Sequence, residues 1–410
     1  MFAGMISKNR DMKTQSAVSP GRIASIDIFR ALTMLLMIFV NDLWSLSNIP
    51  GWLGHTPTHF DGMGLADVVF PSFLFIVGLS IPHALKARQR KGDSRRRIAG
   101  HILSRSLALI VMGFLLVNQE HINRELTPLN TRVWQILLIA GFFLIWNVYP
   151  RSLGGGKFSS RWLQGAGIIL LIVLAAIFTG GDTANPVWLK PYWWGILGLI
   201  GWSYLVSAFV YLFSEGRLIG IVAVWLLFNV LNLLEFLPLP ENFPVIKLLI
   251  SASNYALVMS GVLASAIYDR ISQEKNRHSW IPGLLFTLSV ILVVYGFAVR
   301  PFGGISKNLA TPSWTAICAG ISYAVFALLI IIADNFRLTK WAVLIAPAGR
   351  STLTCYLIPY LIYPVIALAG WHLPALLTTG VVGLIKSLLF ALLVVQITGL
   401  LEKIGVKLRI

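Results

Sequence analysis

Residues 25–42 read SIDIFRALTMLLMIFVND, residues 51–64 read GWLGHTPTHFDGMG, and residues 65–82 read LADVVFPSFLFIVGLSIP. The outer two stretches are apolar runs of the length a helix needs to cross the hydrocarbon core, and the middle one is polar with two glycine-closed ends. Together they specify a transmembrane hairpin. Runs of the same kind recur to the end of the chain, at approximately 24–46, 65–85, 101–119, 132–149, 162–180, 190–213, 217–237, 247–268, 280–299, 313–333, 350–370 and 375–401. Of 410 residues, 57% are hydrophobic and only 12% charged, with mean hydropathy +0.78, whereas a soluble domain carries roughly a quarter charged residues. The expectation is all-α: a polytopic transmembrane helical bundle of about 11–12 spans. A single membrane domain fills 24–402, flanked by cytoplasmic segments 1–23 and 403–410. The uncertainty in span count lies at the sixth run and at Trp341–Ala348, which reads equally as an interfacial or re-entrant stretch.

The net charge of +17 sits in short loops between apolar runs, which argues for membrane topology and against nucleic acid. With the N-terminus inside, the inner loops hold Lys8, Arg10, Lys13, Arg22, the run Lys86 to Arg105, Arg151, Lys157, Arg161, Arg217, Arg270, Lys275, Arg277, Arg337, Lys340, Lys403, Lys407 and Arg409. The outer loops hold only Arg124, Arg132, Lys190, Lys247, Arg300 and Lys307. This asymmetry is read as both termini cytoplasmic, and the expected location is a bacterial inner membrane. No h-region precedes the first run, so no cleavable signal peptide is expected. Cys318 and Cys355 lie in apolar segments and read as small buried hydrophobes. The tryptophans at helix ends, Trp188, Trp193 and Trp194 among them, read as an interfacial belt. No internal repeat is evident.

Three constellations could carry chemistry. In the first hairpin, Asp27 and Arg30 lie at the inner start of the first run, Asn41 and Asp42 at its outer end, and Asp67 at the outer start of the second. Ionisable groups at membrane depth normally face a polar cavity or a partner. Asp67 also reads as a helix-cap residue, favoured near the helix dipole. His55 and His59 are the acid–base candidates, with Asp61 or Asp67 to orient an imidazole. Their spacing would allow a zinc pair on a helix, but Pro57 argues against regular helix there, and no metal is expected. The second constellation is RPFGGISKNLATPSW (300–314), either a tight turn or a substrate rim in which Lys307 and Trp314 face a sugar. The third is APAGRSTLTCYLIPYLIYP (346–364), where Arg350 and Ser351 open the eleventh run. Arg350 either snorkels or holds phosphates of a cytoplasmic cofactor.

The segments SIDIFRALTMLLMIFVND, LADVVFPSFLFIVGLSI, ISKNLATPSW and PAGRSTLTCYLI resemble a family of membrane acyltransferases that includes heparan-α-glucosaminide N-acetyltransferase and its bacterial relatives. ADVVFPSFLFIVG is the most specific of these pieces. The resemblance implies an acetyl-CoA donor and transfer across the membrane to a glucosamine-type amine. It also implies a loop histidine as base or acyl carrier. Asn41 matches the family's asparagine and supplies an oxyanion hydrogen bond, while Asp67 matches its aspartate and sets the histidine tautomer. The family's H-A-x-W-x-G pattern is replaced here by HTPTHFDG, so both His55 and His59 stand as the catalytic histidine. His55 is preferred because it leaves a flanking segment long enough to fold over a cavity. Arg30, Arg350 and Ser351 are then the donor-binding candidates, and Asp42, Asp61, Lys307 and Trp314 the acceptor-binding ones. The expected partners are membrane lipid, an amino-sugar substrate and a second copy of the chain. The competing reading is a secondary transporter for amino sugars or their oligomers; a structural membrane subunit has no specific support.

Overall fold

The computed structural model describes residues 23–149, 156–240, 248–273 and 278–410. The expected cytoplasmic segment up to Arg22, together with Arg151, Lys247, Lys275 and Arg277, lies outside the described residues. Helices dominate, and the one sheet is a two-stranded antiparallel hairpin, β1 (Gly180–Asp182) with β2 (Asn185–Val187). Among the described residues, seven helices are long and apolar enough to cross a membrane by length and composition. Among them are α1 (Ala24–Asp42), α2 (Leu65–Arg90), α3 (Arg95–Gln119) and α6 (Gly195–Phe213). The others are α9 (Ile281–Ala298), α10 (Pro312–Leu329, continuing as a π-helix to Asn335) and α12 (Gly380–Lys403). Four shorter apolar helical stretches are α4 (Thr131–Trp146), Ser160–Ala176 within α5 (Gly156–Ala176), α7 (Leu218–Leu234) and the broken helix α11 (Thr352–Leu368). This is a multi-pass membrane protein.

The remaining run, α8 (Ala252–Ser272), is rich in Ser and Ala and lies in the middle of the protein, with Ala252 through Ser265 buried. Its neighbours are α2, α6, α7 and α10, not lipid, which is why its sequence is the less hydrophobic. Close crossings are made by small residues. A Cβ on Gly78 would stand 1.9 Å from the Val258 carbonyl oxygen, and one on Gly261 would stand 1.9 Å from that of Phe75, so α2 and α8 touch backbone to backbone. Gly113 of α3 does the same against Gly198 of α6, with 2.1 Å to its nitrogen. At the centre, Phe75 meets Tyr323 edge-on at 5.0 Å, and the buried Tyr323 hydroxyl donates to the Ser260 carbonyl at 2.8 Å.

The two places that the sequence left open take definite forms. The sixth run was expected from residue 190, but α6 starts at Gly195, because Pro191 and left-handed Tyr192 (φ 41°) and Trp194 (φ 70°) hold the preceding stretch as a loop. Trp341–Ala348 forms a 3₁₀ turn (Lys340–Leu344) leading into the one-turn helix Ala346–Arg350. At the end of the chain, residues 407–409 return as a short strap. The Val148 amide donates to the Lys407 carbonyl (2.9 Å), the Arg409 amide to that of Trp146 (3.0 Å), and the Leu408 amide to the Thr354 hydroxyl (2.9 Å). Both cysteines are free and buried.

Candidate active site

The loop 51–64 is folded over the start of α2 by a carboxylate. Asp67 is buried in the first turn of α2, where its Oδ2 accepts the Gly64 amide at 3.0 Å and the Thr56 amide at 3.1 Å. The Thr56 hydroxyl lies 3.0 Å from the same oxygen and 3.1 Å from the Gly62 carbonyl, its single proton serving one at a time. Oδ1 is left for His55, whose Nδ1 lies 2.7 Å away. Asp67 is therefore both the helix cap and the partner of an imidazole, so the two sequence readings of this residue are compatible. No side chain fits at Gly64, where a Cβ would come within 2.1 Å of the Gly54 carbonyl oxygen.

The second loop locks this one from outside. Asp61 Oδ1 accepts the Ile305 amide at 2.7 Å and its Oδ2 accepts from Arg300 Nε at 2.9 Å. The Gly62 amide donates to the Ile305 carbonyl (3.0 Å), Ser306 Oγ to the Thr58 carbonyl (2.9 Å), and Asn308 Nδ2 to Thr58 Oγ1 (3.0 Å). The Ile305 amide, helped by the Arg300 guanidinium against the effect of burial, holds the Asp61 carboxyl below the usual carboxylate range. Gly303 (φ +95°) and Gly304 (φ +69°) allow the turn that brings this backbone against Asp61. The result is to set Lys307 Nζ 3.1 Å from His55 Nδ1 and 3.9 Å from Asp67 Oδ1. One ring nitrogen cannot serve both neighbours. The 2.7 Å approach to a carboxylate requires Nδ1–H, so the ammonium is an electrostatic neighbour and the lone pair is on Nε2. Burial pushes the Lys307 ammonium below its ordinary pKa, opposed by Asp67.

His55, Lys307, Asn308 and Asn41 line one cavity of about 560 Å³. Trp314 forms part of its wall from a buried position (2% exposed), with Nε1 committed to the Asp67 carbonyl at 3.1 Å. His59 is exposed on a turn and is not among the lining residues. Asp61 ties the loops together, and Asp42 is elsewhere. The Asp42 carboxylate, buried at the end of α1, accepts from Tyr363 (2.7 Å), Lys386 (2.7 Å) and Ser387 (2.6 Å), pinning α1 to α11 and α12. Lys386 was passed over in the sequence, although a lysine inside an apolar run was a signal for such a partner.

Toward the opposite end of α1 lie two overlapping cavities of about 440 and 400 Å³ that share Arg30, Arg105, Tyr204 and Arg350. The second also takes in Ser351 and, from the strap, Arg409. It shares Met37 and Ile196 with the His55 cavity, so the two spaces adjoin at these side chains. Arg30 is held by Asp27 (3.2 Å) and Ser80 (2.7 Å), and Arg350 by Glu402 (3.2 Å). Arg105 lies over the Tyr204 ring at 4.8 Å, while its Nε and the Ser351 hydroxyl are buried without a hydrogen-bond partner. Arg105 and Arg409 were read from the sequence only as topology charges. An anionic ligand with a phosphate or diphosphate fits this set, since it presents guanidinium groups and unspent donors together. No group of three or more potential metal ligands gathers among the described residues.

Comparison with known proteins adds the following. Residues 22–123 match the family model described as heparan-alpha-glucosaminide N-acetyltransferase, catalytic. The heparan-alpha-glucosaminide N-acetyltransferase of Homo sapiens is 34% identical over 106 residues, 25% of this chain and 15% of the relative. That of Mus musculus is 32% identical over 147 residues, 33% of this chain and 21% of the relative. The chain thus aligns with about a fifth or less of the length of these curated relatives. The resemblance read in ISKNLATPSW and PAGRSTLTCYLI falls outside the stretch matched by the family model. Residues 22–123 are thus similar to the catalytic part of heparan-alpha-glucosaminide N-acetyltransferase, and that stretch takes in Asn41, the His55 loop and the Asp67 cap.

Proposed function

We propose that the chain is a membrane N-acyltransferase that moves an acetyl group from acetyl-CoA to the amine of a glucosamine-type sugar. The observation that carries this reading is the His55–Asp67 pair in a cavity that adjoins, at Met37 and Ile196, an arginine-lined one. The donor's phosphates are held by Arg30, Arg105, Arg350 and Arg409, with Ser351 beside them, and its thioester reaches past Met37. The loop charges put the arginine end in the cytoplasm and the His55 end outside.

A thioester is activated enough that transfer needs chiefly positioning, a base and a donor for the oxyanion. The acceptor nitrogen attacks the thioester carbonyl, the carbon–sulfur bond breaks, and His55 Nε2 takes the proton from nitrogen and delivers it to the leaving thiolate. Asp67 keeps Nδ1 protonated so that Nε2 is the base, and Asn41 donates to the developing oxyanion. In the two-step variant Nε2 itself is acetylated first.

Labelled acetyl-CoA with glucosamine and short amino-sugar oligomers, offered to purified protein in detergent, tests the reading. Labelled N-acetyl product that disappears in His55→Gln and persists in His59→Gln is the expected result. Label retained on the protein with donor alone distinguishes the acyl-histidine route. Folded protein that neither binds donor nor makes product, yet supports uptake of amino sugar into vesicles, would replace it with transport.

A further inference from the structure

The loop before α6 does something that a belt of interfacial tryptophans does not. Tyr192, Trp193 and Trp194 all line the His55 cavity. Two of the three, Tyr192 and Trp194, hold left-handed backbone conformations that bulky residues rarely adopt. Such conformations persist where the surroundings over-determine them. Here the surroundings are visible. The buried Asn118 of α3 clamps Lys190 from both sides, Nδ2 donating to its carbonyl at 2.8 Å and Oδ1 accepting its amide at 3.0 Å. The Trp194 amide closes a turn on Pro191 at 2.7 Å. At Gly195 (φ +67°) a Cβ would meet the Gly113 carbonyl oxygen at 2.8 Å, so the loop is seated on α3. His121 stacks on Tyr192 at 3.9 Å and 15°, bracing that ring, while Trp193 keeps 45% of its surface exposed.

The chemistry of the cavity narrows what these rings meet. Trp314 is buried with its indole N–H spent on the Asp67 carbonyl, and of the other aromatic lining residues Phe70 and Trp194 are half-buried while Tyr192 and Trp193 are exposed. Ser251, Asn254 and Asn308 supply hydroxyl and carboxamide groups beside them. Among the described lining residues none is acidic, and the oxygens of Asp67 are occupied by His55, Thr56 and Gly64. An ammonium ion entering here finds no counter-ion, and a neutral amine loses nothing by that. Amines on a polyhydroxylated ring are less basic than alkylamines, because neighbouring oxygens withdraw electrons, so they enter neutral more readily.

We propose that Tyr192 and Trp193 form the acceptor platform, stacking the apolar face of a pyranose ring so that its weakly basic amine meets His55. This rests on the acyltransfer reading and assigns the specificity to a loop outside the residues matched by the family model. Stacking on an aromatic face is worth about tenfold in affinity.

The test compares methyl glucosaminide with cyclohexylamine, a ring of the same size with no hydroxyls and a more basic nitrogen, in intact detergent-solubilised protein. Wild type is expected to favour the glucosaminide, and Trp193→Ala to raise its KM about tenfold with donor KM unchanged and Trp193→Phe restoring it. Calorimetric titration of glucosaminide without donor gives a second readout, with the same loss expected in Trp193→Ala. Wild type that binds glucosaminide but makes no product would defeat the acyltransfer reading and leave the platform standing. Glucosaminide binding that is absent in folded wild type, or equal within twofold in wild type and Trp193→Ala, would overturn the platform.

Discussion

Asp67→Asn separates a base from a bystander, because the surroundings of the carboxylate dictate how an amide must sit. Two backbone amides, Gly64 at 3.0 Å and Thr56 at 3.1 Å, point at Oδ2 and demand an oxygen there. The asparagine carbonyl therefore takes that place and its NH₂ faces His55 Nδ1. An NH₂ donor toward Nδ1 selects the tautomer with hydrogen on Nε2, the nitrogen that has to accept the proton from the acceptor amine. The helix cap is kept, so the stability loss stays within about 1–2 kcal/mol. The rate loss is that of a base in the wrong tautomer, about 10²–10⁴-fold, or roughly 3–5 kcal/mol of activation free energy. Initial rates of acetyl transfer at saturating donor, beside thermal unfolding of the same preparation, make the comparison. Combining Asp67→Asn with His55→Gln should add almost nothing to the loss from His55→Gln alone, since the two act as one unit. A folded Asp67→Asn protein working within threefold of wild type would refute the assignment of Nε2 as base.

Lys386→Met leaves the buried Asp42 carboxylate with hydroxyl partners but no cation, and should cost about 3–5 kcal/mol in thermal unfolding, with Asp42→Asn in the same protein recovering most of it. Gly64→Ala should displace the His55 loop and cost about 1–3 kcal/mol together with most activity, because the added methyl meets the Gly54 carbonyl. Gly100→Ala, whose Cβ meets nothing within 4 Å in α3, should stabilise the protein by about 0.5–1 kcal/mol. For Lys307 the folded pKa lies below the ordinary lysine value, so between the two the unfolded chain binds more protons and stability rises with pH. Lys307→Met should remove that rise from a series of melting curves, and an unchanged slope would contradict the burial of this amine.

The transmembrane hairpin was legible because two apolar runs of spanning length flank a polar loop, and Asp67 was legible because a carboxylate at the head of such a run needs a reason. What joined them was not. Asp61 meets Arg300 and Ile305 across some 240 residues of chain, and no local pattern announces that pairing. His55 was preferred over His59 in the sequence only for the length of its flanking segment, because the path of the loop around Pro57 decides which imidazole reaches Asp67. The aromatic loop was misread for a physical reason. A tryptophan at a helix end is favoured at the lipid headgroups whatever else it does, and the left-handed backbone of Tyr192 and Trp194, on which the platform proposal rests, has no signature in the sequence. Arg105 was hidden similarly, its charge being fully accounted for by membrane insertion until its buried, unpartnered Nε is seen.

These differences follow a division in the chain. His55, Asp67 and Asn41 all lie within residues 22–123, the stretch matched by the family model, and they are the groups that the proposed reaction needs whatever the acceptor. Part of the wall around them comes from α1 and α2, and the rest from later: Tyr192 and Trp193 before α6 and Lys307 before α10, while Arg350 before α11 and Arg409 in the strap complete the adjoining arginine-lined cavity. A base and its carboxylate can be fixed by one hairpin because they are twelve residues apart and share a loop. A cavity cannot be, since enclosing a ring requires surfaces from several directions, and those surfaces are supplied by helices packed around α8. On the acyltransfer reading, exchange of the loop 188–195 should therefore alter which amine is accepted while the dependence on His55 remains. Exchange of the loop 51–64 should abolish transfer to every amine.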